Sequence, residues 1–199
     1  MTLVLPLVTC LLCFGALTYA ETTQRVQCDS TVGSWTVEVH PSWSPNGAKR
    51  YLDLVQDGFF DDSPLFRAIP GFLVQFGISM KPSMNEKWDS NIQDDPFPMQ
   101  VDMKKGIMAF AGYGKHSRST QVWIGYDDAA GLGDSPWETP FGEVIEGMSN
   151  VDNIYGGYGD KPDQEKLHSL GRKYVEENFP KLDFIKKCFL VASAVEKKQ

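Results

Sequence analysis

The segment from residue 59 to 78 constrains the fold of this 199-residue chain more than any other part of the sequence. It is largely apolar, but Pro64, Pro70 and Gly71 interrupt it at short intervals. Proline breaks a helix because it lacks a backbone donor, and glycine favours tight turns. The segment therefore predicts short strands joined by turns rather than a helix.

Short strands and few helices are predicted on both sides of this segment. Apolar patterns predict strands at 26–31, 35–40, 107–111, 121–126, 141–145 and 182–195. Helices are predicted between Ser44 and Gly58, with Pro45 in the first turn, and over 163–178. Residues 81–98 are polar and are interpreted as a long surface excursion. This order predicts a mainly β fold, a closed barrel or a sandwich covered by helices.

The first twenty residues carry no charged side chain. Small residues stand at positions −3 and −1 from a cleavage point before Glu21, as Thr18 and Ala20 respectively. This pattern predicts a secretory signal peptide cleaved before Glu21. An uncleaved membrane anchor is the alternative. We expect residues 1–20 to be the signal peptide and 21–199 the mature domain, located in the secretory pathway (endoplasmic reticulum lumen or secreted) without stable membrane insertion after cleavage.

Charge and cysteine content limit the partners and the redox chemistry. The formal net charge of −7 repels phosphate backbones, so nucleic acid is not expected as a partner. The mature domain would keep Cys28 and Cys188, which form either one disulfide or two separate buried thiols. It contains no CxxC pair, so neither a thiol-redox motif nor a zinc knuckle is predicted.

The remaining polar residues show no metal-ligand or nucleophile motif. The three histidines have none of the spacings typical of zinc sites. Three pairs of aspartates, at 61–62, 94–95 and 127–128, are interpreted as solvated turn residues, because the spacing of a calcium-binding loop is missing. A phosphate-binding P-loop and a complete dinucleotide-binding motif are missing as well, so neither a metal nor a cofactor is expected.

Arg67 is the only ionisable residue between Asp62 and Lys81 and is surrounded by apolar side chains. Its aliphatic stem could simply cover a barrel edge, or its guanidinium could pair with a nearby carboxylate. The functional alternative is a cation placed in an apolar groove, with Gln75 eight residues further on to orient it.

This part of the chain resembles the cyclophilin family of peptidyl-prolyl isomerases. The family segment F-H-R-V-I-P-G-F-M-x-Q-G-G is similar to residues 65–77 here. Residues 106–112 with 119–124 resemble the family's G-x-x-x-M-A-N-A-G and S-Q-F-F-I, and 140–148 resembles F-G-x-V-x-x-G-M. The three blocks have the family's order and spacing, and the resemblance runs from about residue 26 to 195.

The resemblance implies a closed eight-stranded antiparallel barrel capped by two α-helices. It also implies that the protein accelerates rotation of X-Pro bonds during protein folding, with proline-containing polypeptides as partners. A monomer is expected. The implied catalytic residues are Arg67, Gln75, Phe72 and Gln121. The implied substrate-binding residues are Leu73, Ala109, Phe110 through its backbone, Trp123 and Leu132.

The resemblance places Cys28 and Cys188 in the first and last strands, which run side by side in the family barrel, and so implies a disulfide between them.

Several positions depart from the family pattern. Phe66 stands at the family's histidine, Phe110 at an asparagine, and Gly131 near the loop tryptophan that hydrogen-bonds cyclosporin in family members. Trp137 is displaced in sequence, and residues 113–118 form the divergent part of a segment about two residues longer than the family's. A non-catalytic module that binds proline-containing segments, or a scaffold, is therefore the alternative to an isomerase.

Overall fold

The computed structural model describes residues 22–95, 101–127, 132–133 and 135–192, so the predicted signal peptide lies outside the described residues. The described chain forms one antiparallel sheet of nine strands in the order β3-β9-β1-β2-β8-β6-β7-β5-β4. The strands are β1 Gln24–Ser30, β2 Gly33–Val39, β3 Ser63–Pro64, β4 Arg67–Ile69, β5 Leu73–Phe76, β6 Ile107–Phe110, β7 Val122–Gly125, β8 Pro140–Glu146 and β9 Phe184–Val191.

The sheet curls so that its two edge strands are neighbours in sequence. β3 pairs with β9, and β4 pairs with β5, yet only Leu65 and Phe66 separate β3 from β4. The mainly β, curled antiparallel architecture is confirmed, with nine strands in place of the expected eight. The extra strand arises because residues 63–69 pair first with β9, as β3, and then with β5, as β4. The change follows Pro64, whose nitrogen cannot donate a hydrogen bond to a continuous ladder.

The described residues contain five α-helices rather than the expected two. They are α1 Pro45–Gln56, α2 Pro82–Lys87, α3 Met148–Asp152, α4 Gln164–Leu170 and α5 Arg172–Asn178. The predicted helix over 163–178 is broken at Gly171, whose φ of +57° belongs to a backbone region that favours glycine. None of the helices in the described segments is long and apolar enough to cross a membrane.

Alternation along the strands divides the apolar residues between two faces. In β6, Met108 and Phe110 point into the barrel core, whereas Ile107 and Ala109 belong to a separate apolar cluster. Leu73 of β5 and Trp123 of β7 join that second cluster. A second, largely buried apolar cluster therefore lies on the opposite side of these strands from the barrel core.

The first and last strands are covalently joined. Cys28 of β1 lies directly opposite Cys188 of β9 in the antiparallel register, and a disulfide links them. Of the two alternatives that the sequence leaves open, the structure has the disulfide.

Candidate functional site

Arg67 and Gln75 face each other across the β4–β5 hairpin. They are direct partners in the antiparallel register, and the Arg67 Nη1 donates a hydrogen bond of 3.3 Å to the Gln75 Oε1. The Pro70-Gly71 turn sets this register, because Gly71 has a φ of +74° and closes the hairpin tightly. Residues eight positions apart in sequence are thereby brought into contact.

Gln121 extends this pair into a row of three polar side chains. It lies immediately before β7, the neighbour of β5, and its Oε1 accepts a hydrogen bond of 2.7 Å from the Gln75 Nε2. Gln75 itself is buried. Its amide is therefore fixed at both ends, which limits the orientations open to the Arg67 guanidinium.

An apolar wall flanks this row, made of side chains from three strands and two loops. The Arg67 guanidinium carbon lies 5.8 Å from the centre of the Phe72 ring. The wall residues predicted from the sequence are Phe72, Leu73, Trp123 and Leu132, and all four lie in one cluster together with Ala109. The structure thus brings the predicted polar and apolar residues of the groove to the same face of the sheet.

The wall is more covered than the sequence indicates. Leu73 and Trp123 are each 3% exposed. Trp43, Val101 and Met103 pack against the same cluster. None of these three residues belongs to the motifs that resemble the family, so no sequence signal marks them as part of the wall.

Phe110 contributes differently from its neighbour Ala109. Its side chain is 0% exposed and lies in the barrel core, with its ring centre 5.2 Å from that of Phe141. Any contribution of Phe110 to substrate binding therefore comes from its backbone, as the resemblance implies.

A pocket of about 290 Å³ opens beside Gln75 and Gln121. Its other walls come from the divergent segment, through Tyr113 and Ser117, from the adjoining residues Ala111, Gly112 and Ser119, and from Gln164. Tyr113 is 90% exposed at the rim. The segment that departs most from the family pattern thus forms one side of the candidate groove.

The interpretation of Asp94 and Asp95 as solvated turn residues is wrong. The Asp95 carboxylate is buried, accepts from the Arg118 Nη1 at 2.9 Å, and caps α1 by accepting from the backbone nitrogens of Asn46 and Gly47. The side chain of Asp94 is 6% exposed, and its carboxylate accepts a hydrogen bond from the His116 backbone nitrogen. Because these partners are distant in sequence, no local pattern reveals the cluster.

The loop expected to supply the other side of the pocket is described only in part. Gly131 lies outside the described residues, whereas Trp137 lies in a short 3₁₀ turn, residues 136–138, and packs against Gly112. Among the described residues, no group of three or more His, Cys, Asp or Glu side chains is placed to hold a metal ion.

Comparison with known proteins identifies the family. The sequence profile of the "Cyclophilin type peptidyl-prolyl cis-trans isomerase/CLD" family matches residues 24–170. This chain belongs to the cyclophilin family. The enzyme class expected from the sequence, a peptidyl-prolyl cis-trans isomerase, is thereby confirmed at the level of the family.

Individual cyclophilins are only moderately similar. The peptidyl-prolyl cis-trans isomerase-like 1 of Emericella nidulans is 31% identical over 138 residues, which cover 65% of this chain and 80% of that protein. The peptidyl-prolyl cis-trans isomerase-like 2 of Neurospora crassa is 27% identical over 143 residues, 69% of this chain but only 24% of that longer protein.

A solved cyclophilin shares the fold. The cyclophilin-type isomerase of Cryptosporidium parvum, crystallised in the presence of the dipeptide Ala-Pro, superposes with a TM-score of 0.63 and 20% identity, covering 85% of this chain and 100% of the other. This likeness supports the cyclophilin architecture of the barrel.

Proposed function

We propose that this chain catalyses cis-trans isomerisation of X-Pro bonds in polypeptides of the secretory pathway, with Arg67 as the main catalytic residue. The observation that carries the proposal is the hydrogen-bonded row from Arg67 through Gln75 to Gln121, placed beside an apolar wall. The family supports isomerase chemistry, and the uncharged leader of residues 1–20 supports the secretory location.

The reaction requires neither an acid, a base nor a metal. Rotation about an X-Pro bond is slow because amide resonance must be broken, at a barrier of about 18–20 kcal/mol. In the twisted transition state the prolyl nitrogen regains its lone pair and accepts a hydrogen bond better than in the planar ground state. A positioned donor therefore stabilises the transition state selectively.

Arg67 suits this task because its guanidinium remains protonated and donates without transferring a proton. Gln75 orients it, and Phe72, Leu73, Trp123 and Leu132 form the apolar contact for the proline ring. Gln121 and the backbone of Ala109 and Phe110 hold the substrate chain. An acceleration of about 10⁵-fold requires roughly 7 kcal/mol of differential binding, within the range of one fixed donor and a fitted groove.

The test is whether the mature chain accelerates cis-trans exchange of an X-Pro peptide. Exchange NMR on an Ala-Ala-Pro-Phe peptide measures this rate. Arg67→Ala is expected to lower kcat/KM by about 10²–10³-fold, the usual loss for one preorganised donor. Arg67→Lys restores little, because a point charge on a flexible stem lacks the planar fork. The matched control is Arg25→Ala, which removes a strand arginine paired with Glu38 outside the groove.

Equal activity of Arg67→Ala and wild type would refute the role of Arg67. Absence of any acceleration by folded wild type on several X-Pro peptides would refute the isomerase proposal itself.

A non-catalytic module that binds proline-containing segments is the second candidate function. The covered wall favours it, because Leu73 and Trp123 offer little free surface to a proline ring. Binding of an X-Pro peptide to the groove without turnover would support this alternative.

A further inference from the structure

Residues 112–120, which contain the divergent segment 113–118, are attached to the barrel by a buried ion pair. Arg118 is 0% exposed, and its Nη1 lies 2.9 Å from the Asp95 Oδ2, whose side chain is fully buried as well. The Arg118 Nη2 also donates to the Gln93 carbonyl, and the Arg118 carbonyl accepts from the Ile92 nitrogen at 2.8 Å. The guanidinium can bind Asp95 and the Gln93 carbonyl at once because its donors form a planar fork.

The side chains of this segment alternate between the pocket and the interior. Ser117, Ser119 and Gln121 line the pocket of about 290 Å³, whereas Arg118 and Thr120 bond instead to Asp95 and to the Gly77 carbonyl. The inward residues therefore determine where the pocket-lining residues stand. Thr120 adds a second attachment, since its hydroxyl donates to the Gly77 carbonyl at 3.0 Å just beyond β5.

Asp95 connects this anchor to the rest of the barrel. The same carboxylate that binds Arg118 accepts from the backbone nitrogens of Asn46 at 2.7 Å and Gly47 at 3.0 Å, in the first turn of α1. The segment is thus attached to a helix that packs on the barrel. A buried ion pair of this kind contributes little net stability but strongly disfavours the loss of one partner.

We propose that Arg118, held by Asp95, is a positioning residue for the substrate groove. Arg118 sets the position of the pocket wall. It also sets the position of Gln121, three residues later in the chain, whose side chain orients Gln75 and through it Arg67. The inference rests on the proposed function for its kinetic consequence. The arrangement of the Gln75 amide can be measured without any turnover.

The conservative variant Arg118→Lys tests the proposal, because lysine keeps the charge but cannot bind Asp95 and the Gln93 carbonyl in the same geometry. We expect kcat/KM for an Ala-Ala-Pro-Phe peptide to fall about 10-fold or more, since small displacements of positioning groups are costly in rate. The matched control is Arg172→Lys, which alters an arginine–aspartate pair with Asp62 outside the groove, and we expect it to stay within twofold of wild type.

A role limited to stability makes a different prediction. Well below the unfolding temperature, a merely stabilising residue leaves the kinetics of the folded molecules unchanged. Equal kcat/KM for Arg118→Lys and Arg172→Lys, at equal folded fraction, would overturn the proposal. A rise in KM with unchanged kcat would support the proposal and indicate that Arg118 acts on the pocket wall. A fall in kcat would support it and indicate that Arg118 acts on the orientation of Arg67.

NMR of the Gln75 side-chain amide provides a readout independent of activity. The proposal expects the Gln75 Nε2 protons, which donate to Gln121, to exchange faster in Arg118→Lys than in Arg172→Lys. If Arg118→Lys fails to fold, a measurement on the wild-type protein still tests the proposal. Titration with the X-Pro peptide should shift the Arg118 Nε–H signal together with the amides of 112–120, and an unchanged Arg118 signal on saturation would overturn the proposal. Inactive wild type with these NMR results intact would refute the isomerase function alone.

Discussion

Removal of the Cys28–Cys188 disulfide is expected to destabilise the barrel severely. The bridge joins the strand that begins the described barrel to the strand that ends it, at a directly opposed pair of positions. The perturbation is the double variant Cys28→Ala/Cys188→Ala in the mature chain, compared with wild type in the absence and presence of reductant.

The magnitude follows from the length of chain that the bridge closes. The two cysteines are 160 residues apart in sequence. In the chain-entropy description, a crosslink across a loop of this length restricts the unfolded chain and stabilises the fold by about 5 kcal/mol. For a domain of this size, such a loss corresponds to a fall in Tm of roughly 10–20 °C.

Urea unfolding followed by tryptophan fluorescence measures this free energy, and intact mass with and without reductant reports the bridge. Reduced wild type and the double alanine variant are expected to lose similar stability, because the crosslink rather than the packing of two small side chains carries the effect. A loss below about 1 kcal/mol in both samples would refute the reasoning. Two freely alkylated thiols in unreduced protein would refute the bridge itself.

Three further outcomes are expected. Cyclosporin should bind weakly, because Gly131 stands near the position of the family's donor tryptophan and Trp137 packs against Gly112. A ligand carbonyl buried without its hydrogen bond costs roughly 1–3 kcal/mol of binding free energy. Low-nanomolar affinity in calorimetric titration would contradict this prediction. Burial lowers the pKa of His168 below its ordinary value, and the charge of Asp89 opposes this shift. Because the unfolded chain then binds the proton more readily than the folded chain, stability should decrease as the pH falls below about 6.5. Thermal unfolding at several pH values should show a smaller decrease for His168→Asn than for wild type. Phe110→Ala should cost about 3–5 kcal/mol in urea unfolding, because it opens a cavity in the core, and a loss under about 1 kcal/mol would place that side chain outside the core.

The sequence by itself determined the features that depend on neighbours along the chain. The proline- and glycine-interrupted segment around Arg67 predicted short strands, and Pro45 and Gly58 marked the first helix within a residue or two. Motif order predicted the cyclophilin fold and which residues would share a groove. These inferences succeed because turn propensity, helix ends and strand alternation are local properties.

The tertiary structure alone decided the burial of charge and the covering of the groove. Arg118 and Asp95, 23 residues apart, look like polar loop residues, and only the packing of the divergent segment against α1 buries them together. Likewise, Trp43 and Met103 cover the wall around Trp123 although no strand or motif links them. The physical reason is that burial and ion pairing depend on which distant segments meet, and that is set by the curl of the sheet rather than by the pattern around any one residue.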